Sequence, residues 1–216
     1  MKKVAVILSG SGVYDGSEIH EAVLALYAIE KAGATWHCFA PNIDQLHVIN
    51  HLTGDEMDET RNVLIESARI ARGNIGDVAK LNVDEYDALL LPGGFGAAKN
   101  LTDFAVSGAE CSINTHVAQA CRAFANAKKP AGYLCISPVI IPMIYEQGVK
   151  GTVGNDEAVS IAFTQMGGEH TTCPVEDIVF DEKHLVLSTP AYMLAENISQ
   201  AASGIEKLVS KLIKIA

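Results

Sequence analysis

Apolar and polar positions along the chain fall into blocks that read alternately as strand and helix. Val4 to Leu8 is an unbroken apolar run, the signature of a strand covered on both faces. A glycine-rich turn then leads through Asp15-Gly16-Ser17 into a mostly apolar helix from Glu18 to Ile29, closing at Lys31-Ala32-Gly33. Ala34 to Ala40 reads as a second strand, ended by Pro41. Gln45 to Arg61 is polar and acidic, an inserted or elongated solvated connection. Val63, Leu64, Ala68 and Ala71 then recur at helical spacing up to Arg72-Gly73. Asp87 to Leu91 is a buried strand, followed by Pro92-Gly93-Gly94-Phe95-Gly96. Ile113 to Ala127 forms an amphipathic helix whose face carries Val117, Cys121 and Phe124, which places Cys121 in the core.

A short apolar run after Lys129-Pro130 stops at Cys135 and turns at once into a helix. Pro138 suits the first turn of that helix and Ser137 can cap it. Pro142 bends or shortens it before Gln147-Gly148. Asn155-Asp156 caps a helix running to Met166. Ile178-Val179-Phe180 and Leu185-Val186-Leu187 flank Asp181 to His184, a hairpin signal. Thr189-Pro190-Ala191-Tyr192 marks the end of the last strand, before a final helix from about Leu194 to Ile213. The alternation predicts an α/β fold: a mostly parallel sheet with helices on both faces and a small hairpin, formed by one domain over residues 1–216.

Composition narrows the function. Of 216 residues, 49% are hydrophobic but only 6% aromatic, as small-residue helices on parallel strands require. A net charge of −10 argues against nucleic acid or an anionic membrane surface as partner. No window approaches the roughly 20 apolar residues needed to cross a bilayer. Five cysteines without C-x-x-C spacing indicate neither a zinc ribbon nor a complete disulfide framework; reduced thiols in the cytoplasm are the simplest reading, with no metal called for. Gly10-Ser11-Gly12 lacks the third glycine and the acidic strand end of a dinucleotide fingerprint, so no cofactor is implied.

Three groups then point to one sheet edge. Cys135, at a strand-to-helix corner, faces out over the strand ends, where the helix N-terminus is expected to lower its pKa; the alternative is a buried structural cysteine. Glu18 and Glu21, three apart, share a helix face directed at the same edge, or serve only as partners of the helix dipole. The amides of Gly94 and Ile136, with Gly93 beside them, form a candidate oxyanion site, since glycines let backbone approach a ligand closely. Lys99 is the one cation the sequence places near this edge. His20 adjoins Glu21 and either borders the site or fills space, whereas His170 and His184 lie in polar, turn-like surroundings and read as surface residues.

Glu18-Ile19-His20-Glu21, Leu91-Pro92-Gly93-Gly94 with Gly96-Ala97, and Gly132-Tyr133-Leu134-Cys135 resemble the superfamily of PfpI intracellular proteases and the Parkinson-linked deglycase. Leu8 to Glu21, Asn50 to Gly54, Glu59 to Asn62, Gly93 to Leu101 and Thr189 to Ala195 are similar, more narrowly, to the enhancing-lycopene-biosynthesis (ElbB) family, and the similarity covers essentially the whole chain. The resemblance implies a flavodoxin-like three-layer sandwich, a homodimer, Cys135 as nucleophile and Glu21 as its partner, with Glu18 nearer the mouth. It also implies a weak, cofactor-independent and glutathione-independent glyoxalase activity on small α-oxoaldehydes, glyoxal to glycolate. Redox-responsive regulation linked to isoprenoid synthesis and aldehyde-adduct repair are the alternatives. Unlike the proteases, this chain has Ile136 rather than histidine after the cysteine and no H-x-E, so peptide and glutamine hydrolysis lack their imidazole base.

Overall fold

A computed structural model describes all residues, 1–216. The strands are β1 (Lys3–Ile7), β2 (Thr35–Ala40), β3 (Ile75–Asp77), β4 (Ala88–Leu91), β5 (Ala131–Leu134), β6 (Lys150–Gly151), β7 (Glu169–His170), β8 (Val179–Asp181) and β9 (Val186–Thr189). The helices are α1 (Ile19–Lys31), α2 (Val63–Ile70), α3 (Phe104–Ser107), α4 (Thr115–Asn126), α5 (Ile141–Ile144), α6 (Glu157–Gln165) and α7 (Ile198–Ile215). Seven strands form one sheet in the order β3-β2-β1-β4-β5-β9-β8, parallel except for β8, which pairs antiparallel with β9. This is a flavodoxin-like three-layer sandwich.

The period-two geometry of the strands explains the two cores. Val4, Val6 and Leu8 face α1 and α7, joined by Leu90 and Leu187. Ala5 and Ile7 point the other way, to the layer formed by Val117, Cys121 and Phe124 of α4 with Phe163 of α6. Both faces being covered, the strands need no polar side, which is why they read as continuous apolar runs.

Helix boundaries follow their caps. Glu18, Asn62, Asn114, Asp156 and Asn197 each accept a backbone N–H from the first turn. The last of these corrects the expected start at Leu194: residues 191–193 form a separate 3₁₀ turn, and α7 begins only after Asn197. The helix expected after Cys135 is also different. Ser137–Ile140 is 3₁₀ and only Ile141–Ile144 is α-helical, with Pro138 and Pro142 in the respective first turns. Ser137 is not a cap; its buried hydroxyl donates to Leu91 O (2.9 Å) and accepts from Leu134 N (3.0 Å), tying the ends of β4 and β5 together. β3 and the short parallel pair β6–β7 have no counterpart in the sequence reading, since two- and three-residue strands are too short to show a period.

The 45–62 connection is pinned to the loop after β1. Asn100, in a single π-helical turn over Ala97–Leu101, donates to Ser9 O (2.9 Å) and Asp15 O (2.8 Å) and accepts from Leu46 N (3.0 Å). Asp15 accepts the Ile49 N–H (2.7 Å), and Ser67 of α2 accepts that of Gly10 (2.8 Å). Truncating Asn100 leaves two buried carbonyls, Ser9 O and Asp15 O, without the Asn100 donor, at about 1–3 kcal/mol each, and frees the Leu46 N–H, which water can reach. Asn100→Ala is therefore expected to lower the free energy of unfolding by about 2–4 kcal/mol, read from the urea midpoint at unchanged m-value.

Candidate active site

The sheet order runs outward in opposite directions from the β1–β4 boundary, and in open α/β sheets ligands bind outside the carboxyl ends of the strands at such a point. Four strand ends meet here. From β1 the chain passes through the Gly10–Ser17 loop to α1; from β4 it enters Gly93-Gly94; from β5 it reaches Cys135; from β9 it turns at Pro190 to Tyr192. The loops interlock through Glu18 N to Gly93 O (2.9 Å), Phe95 N to Val13 O (2.8 Å) and Gly96 N to Gly16 O (2.9 Å), while Cys135 N donates to Thr189 O (3.0 Å).

Cys135 has φ +60°, a left-handed conformation that costs a non-glycine residue about 1–2 kcal/mol. The sharp turn it makes sets the thiol at the base of the crevice, 7% exposed. Glu21, in the first turn of α1, is wholly buried. Its Oε2 accepts Gly93 N–H (2.9 Å) and its Oε1 accepts Tyr192 N–H (3.1 Å). Carboxyl and thiol face each other across Gly93, close enough for the Glu21 charge to act on the sulfur. A Cβ on Gly93 would sit 2.7 Å from Glu21 Oε2 and 2.9 Å from Cys135 Sγ, so only glycine leaves room for the pair. The backbone N–H groups of Gly94, at φ +95°, and of Ile136 favour the thiolate form of the sulfur. Glu18 accepts Glu21 N–H (2.7 Å) through Oε2 and lines the pocket above.

The crevice encloses about 330 Å³ between Val13, Glu18, Phe95, Asp156, Tyr192 and Met193, with Cys135 and Ile136 beneath. Its charged lining is acidic. Lys99, expected near the site, does not line it: its ammonium donates to Tyr14 O (2.8 Å) and lies over the Phe95 ring. His20 borders the crevice, its Nδ1 2.9 Å from the Tyr192 hydroxyl. Two other histidines depart from the surface positions expected of them. His184 is held by Asp181 (Nδ1 to Oδ2, 2.9 Å) with its side chain 11% exposed, and His170 Nε2 accepts Val153 N–H. Tyr192, Asp156, Val13, Phe95 and Met193 were not identified from sequence as site residues; the strand-end position of Tyr192 was the one available signal.

Burial pushes the Glu21 carboxyl from 4.5 up to about 7, with the Glu18 charge adding to it and the Tyr192, Cys135 and Gly93 contacts opposing it. Burial also raises the Cys135 thiol well above its ordinary value, the Glu21 charge adds to this, and the Gly94 and Ile136 amides pull the other way. The expected lowering of the thiol by a helix N-terminus is thus reversed: the segment behind it is short and 3₁₀, and desolvation dominates. The two groups titrate as a pair that loses its first proton near pH 7 and keeps its second far above.

No family model matches the chain. It is 42% identical over 223 residues to the "ES1 protein homolog, mitochondrial" of Rattus norvegicus, covering 99% of this chain and 84% of the rat protein. The chain belongs to the ES1 family. Among solved structures, an isoprenoid biosynthesis protein with an amidotransferase-like domain from Ehrlichia chaffeensis superposes with a TM-score of 0.93 at 37% identity over 99% of both chains. Drosophila melanogaster DJ-1beta, 15% identical with a TM-score of 0.58, shares the fold alone. The chain is also 41% identical to the human "Glutamine amidotransferase-like class 1 domain-containing protein 3, mitochondrial", over 99% of this chain and 83% of that protein, so the ES1 chain is class I glutamine amidotransferase-like, with a fold that it shares with DJ-1beta. The rat relative is named as mitochondrial, and no helix in the present chain is long and apolar enough to cross a membrane.

A carboxyl whose folded pKa exceeds its unfolded one favours folding while protonated, so its contribution is lost as pH rises from about 4.5 toward about 7. That interval corresponds to about 3 kcal/mol. In Glu21→Gln the amide cannot ionise, so the stability of the variant relative to the native protein should improve by about that amount between pH 4.5 and 8. Parallel urea melts at the two pH values check this.

Proposed function

We propose that the protein is a glutathione-independent glyoxalase of the ElbB kind, converting glyoxal, and methylglyoxal where it fits, to the 2-hydroxy acid. The meeting of the Glu21 carboxyl and the Cys135 sulfur across Gly93, at the base of a small crevice, carries this reading. The paired groups share one proton above pH 7. Transfer of the thiol proton to Glu21 as the sulfur adds to the aldehyde carbon forms the C–S bond, and the carbonyl electron pair becomes an oxyanion facing the Gly94 and Ile136 amides. Protonated there, this is the hemithioacetal. The carboxylate then removes the proton on the carbon bearing sulfur, giving an enediol, and returns a proton to the neighbouring carbon, leaving a thioester of the hydroxy acid. Water attacks that carbonyl, the C–S bond breaks, and glycolate and the thiol are released. Glu18 forms part of the wall above.

The lining supports a neutral substrate. Glu18 and Asp156 repel phosphates, and no lysine or arginine faces the crevice to bind an isoprenoid diphosphate. A redox-sensing role for Cys135 is less well supported, because peroxide attacks thiolates and burial disfavours the thiolate here. Repair of adducts on proteins is disfavoured by a thiol only 7% exposed. We further propose a homodimer acting on this free α-oxoaldehyde in a reducing compartment, with no nucleic-acid or membrane partner. All five cysteines are free.

Purified protein incubated with glyoxal should release glycolate, measured by proton NMR. Cys135→Ser should abolish the product and Glu21→Gln should cut kcat about 10²- to 10⁴-fold. The native kcat/KM should rise tenfold per pH unit below about 7 and level off above it, as the pair loses its first proton. Undiminished glycolate from Cys135→Ser would reject the assignment.

A further inference from the structure

Three sulfur atoms from distant segments meet outside the crevice. Cys111, directly after the 3₁₀ turn that follows α3, has its Sγ 3.7 Å from Met143 Sδ in α5 and 3.8 Å from Met166 Sδ at the end of α6. None of the three lines the crevice. All are partly exposed, so the cluster is reachable from solvent. Each arm is tethered: Asp103 accepts Ser112 N–H (2.6 Å) beside the cysteine, the Arg122 guanidinium donates to Met143 O (3.3 Å), and the Met166 N–H closes the last turn of α6 on Ala162 O.

We propose that Cys111, Met143 and Met166 form a binding site for a soft monovalent metal ion, copper(I) in the first instance. The spacing fits. Sulfur ligands about 2.3 Å from one metal ion lie about 4 Å apart when three surround it in a plane, close to the 3.7 and 3.8 Å that separate Cys111 Sγ from the two methionine sulfurs. The ligand chemistry fits as well, because thiolate and thioether donors select copper(I) over oxygen-seeking ions. Charge decides between soft ions. Two thioethers are neutral, so one thiolate balances a single positive charge and the half-buried centre stays neutral, whereas a divalent ion would leave it charged in a partly desolvated place. Binding replaces the Cys111 S–H with an S–metal bond and releases one proton, with no change of oxidation state. Asp103, whose charge acts on Cys111, adds attraction for a cation.

The experiment is titration of the reduced, full-length protein with copper(I) held in a bicinchoninate buffer, followed by X-ray absorption at the copper edge. One equivalent bound by about three sulfur scatterers near 2.3 Å is expected. Met143→Leu and Met166→Leu conserve volume and should leave the fold intact; each is expected to weaken binding about tenfold or more, and Cys111→Ser about a hundredfold or more. Cys135→Ser should bind as the native protein does, and the copper-free methionine variants should retain native activity toward glyoxal. Binding that survives Cys111→Ser or both methionine changes, or that disappears with Cys135→Ser, would overturn the proposal.

Discussion

The carboxyl of Glu21 is buried without a cation, and the crevice is arranged around that fact. A carboxyl taken out of water needs donors for its oxygens, and here they are backbone N–H groups from two separate strand ends, Gly93 after β4 and Tyr192 after β9. The acid therefore draws together loops separated by a hundred residues. It also fixes residue types around it: position 93 has no space for a side chain, because a Cβ would fall between the acid and the thiol. The left-handed turn at Cys135 brings the sulfur to the same place.

Such a site is expensive to hold together. Desolvation of the acid, the strained turn at the cysteine and an unshielded pair of acidic groups all oppose folding. Rigid surroundings offset them. Ser137 locks β4 to β5 just below the elbow, and Glu18 caps α1 while its own backbone N–H grips Gly93 O. The 45–62 connection, fastened through Asn100, Asp15 and Ser67, holds the glycine-rich loop that leads into α1. What these contacts hold in place is an acid and a thiol that burial pushes toward their protonated forms, side by side at the base of the crevice.

The three-sulfur cluster occupies a different part of the molecule and uses a different principle. The crevice relies on backbone donors and a buried charge, while Cys111, Met143 and Met166 offer polarizable donors at a partly open position. The two sites share α5 and the short segment before it, which carries Ile136 at one end and Met143 near the other. That segment is too short and too rich in proline to be an ordinary helix.

Local sequence alone determined the apolar runs of β1, β4, β5 and β9 and the placement of Cys135 and Gly93-Gly94 at strand ends, with Glu21 in the first helical turn beside them, because those depend on neighbours within a few residues. The Asn155-Asp156 cap and the Asp181 to His184 turn were legible for the same reason. Tertiary structure decided everything that depends on distant partners. The acid–thiol pairing and its raised pKa values arise from burial by loops far apart in the chain; Ser137 bonds across strands instead of capping; and His184 is drawn inward by Asp181. Tyr192 enters the site through its backbone N–H, which no side-chain pattern can reveal, and strands as short as β6 and β7 exist only because each supplies the other's hydrogen bonds.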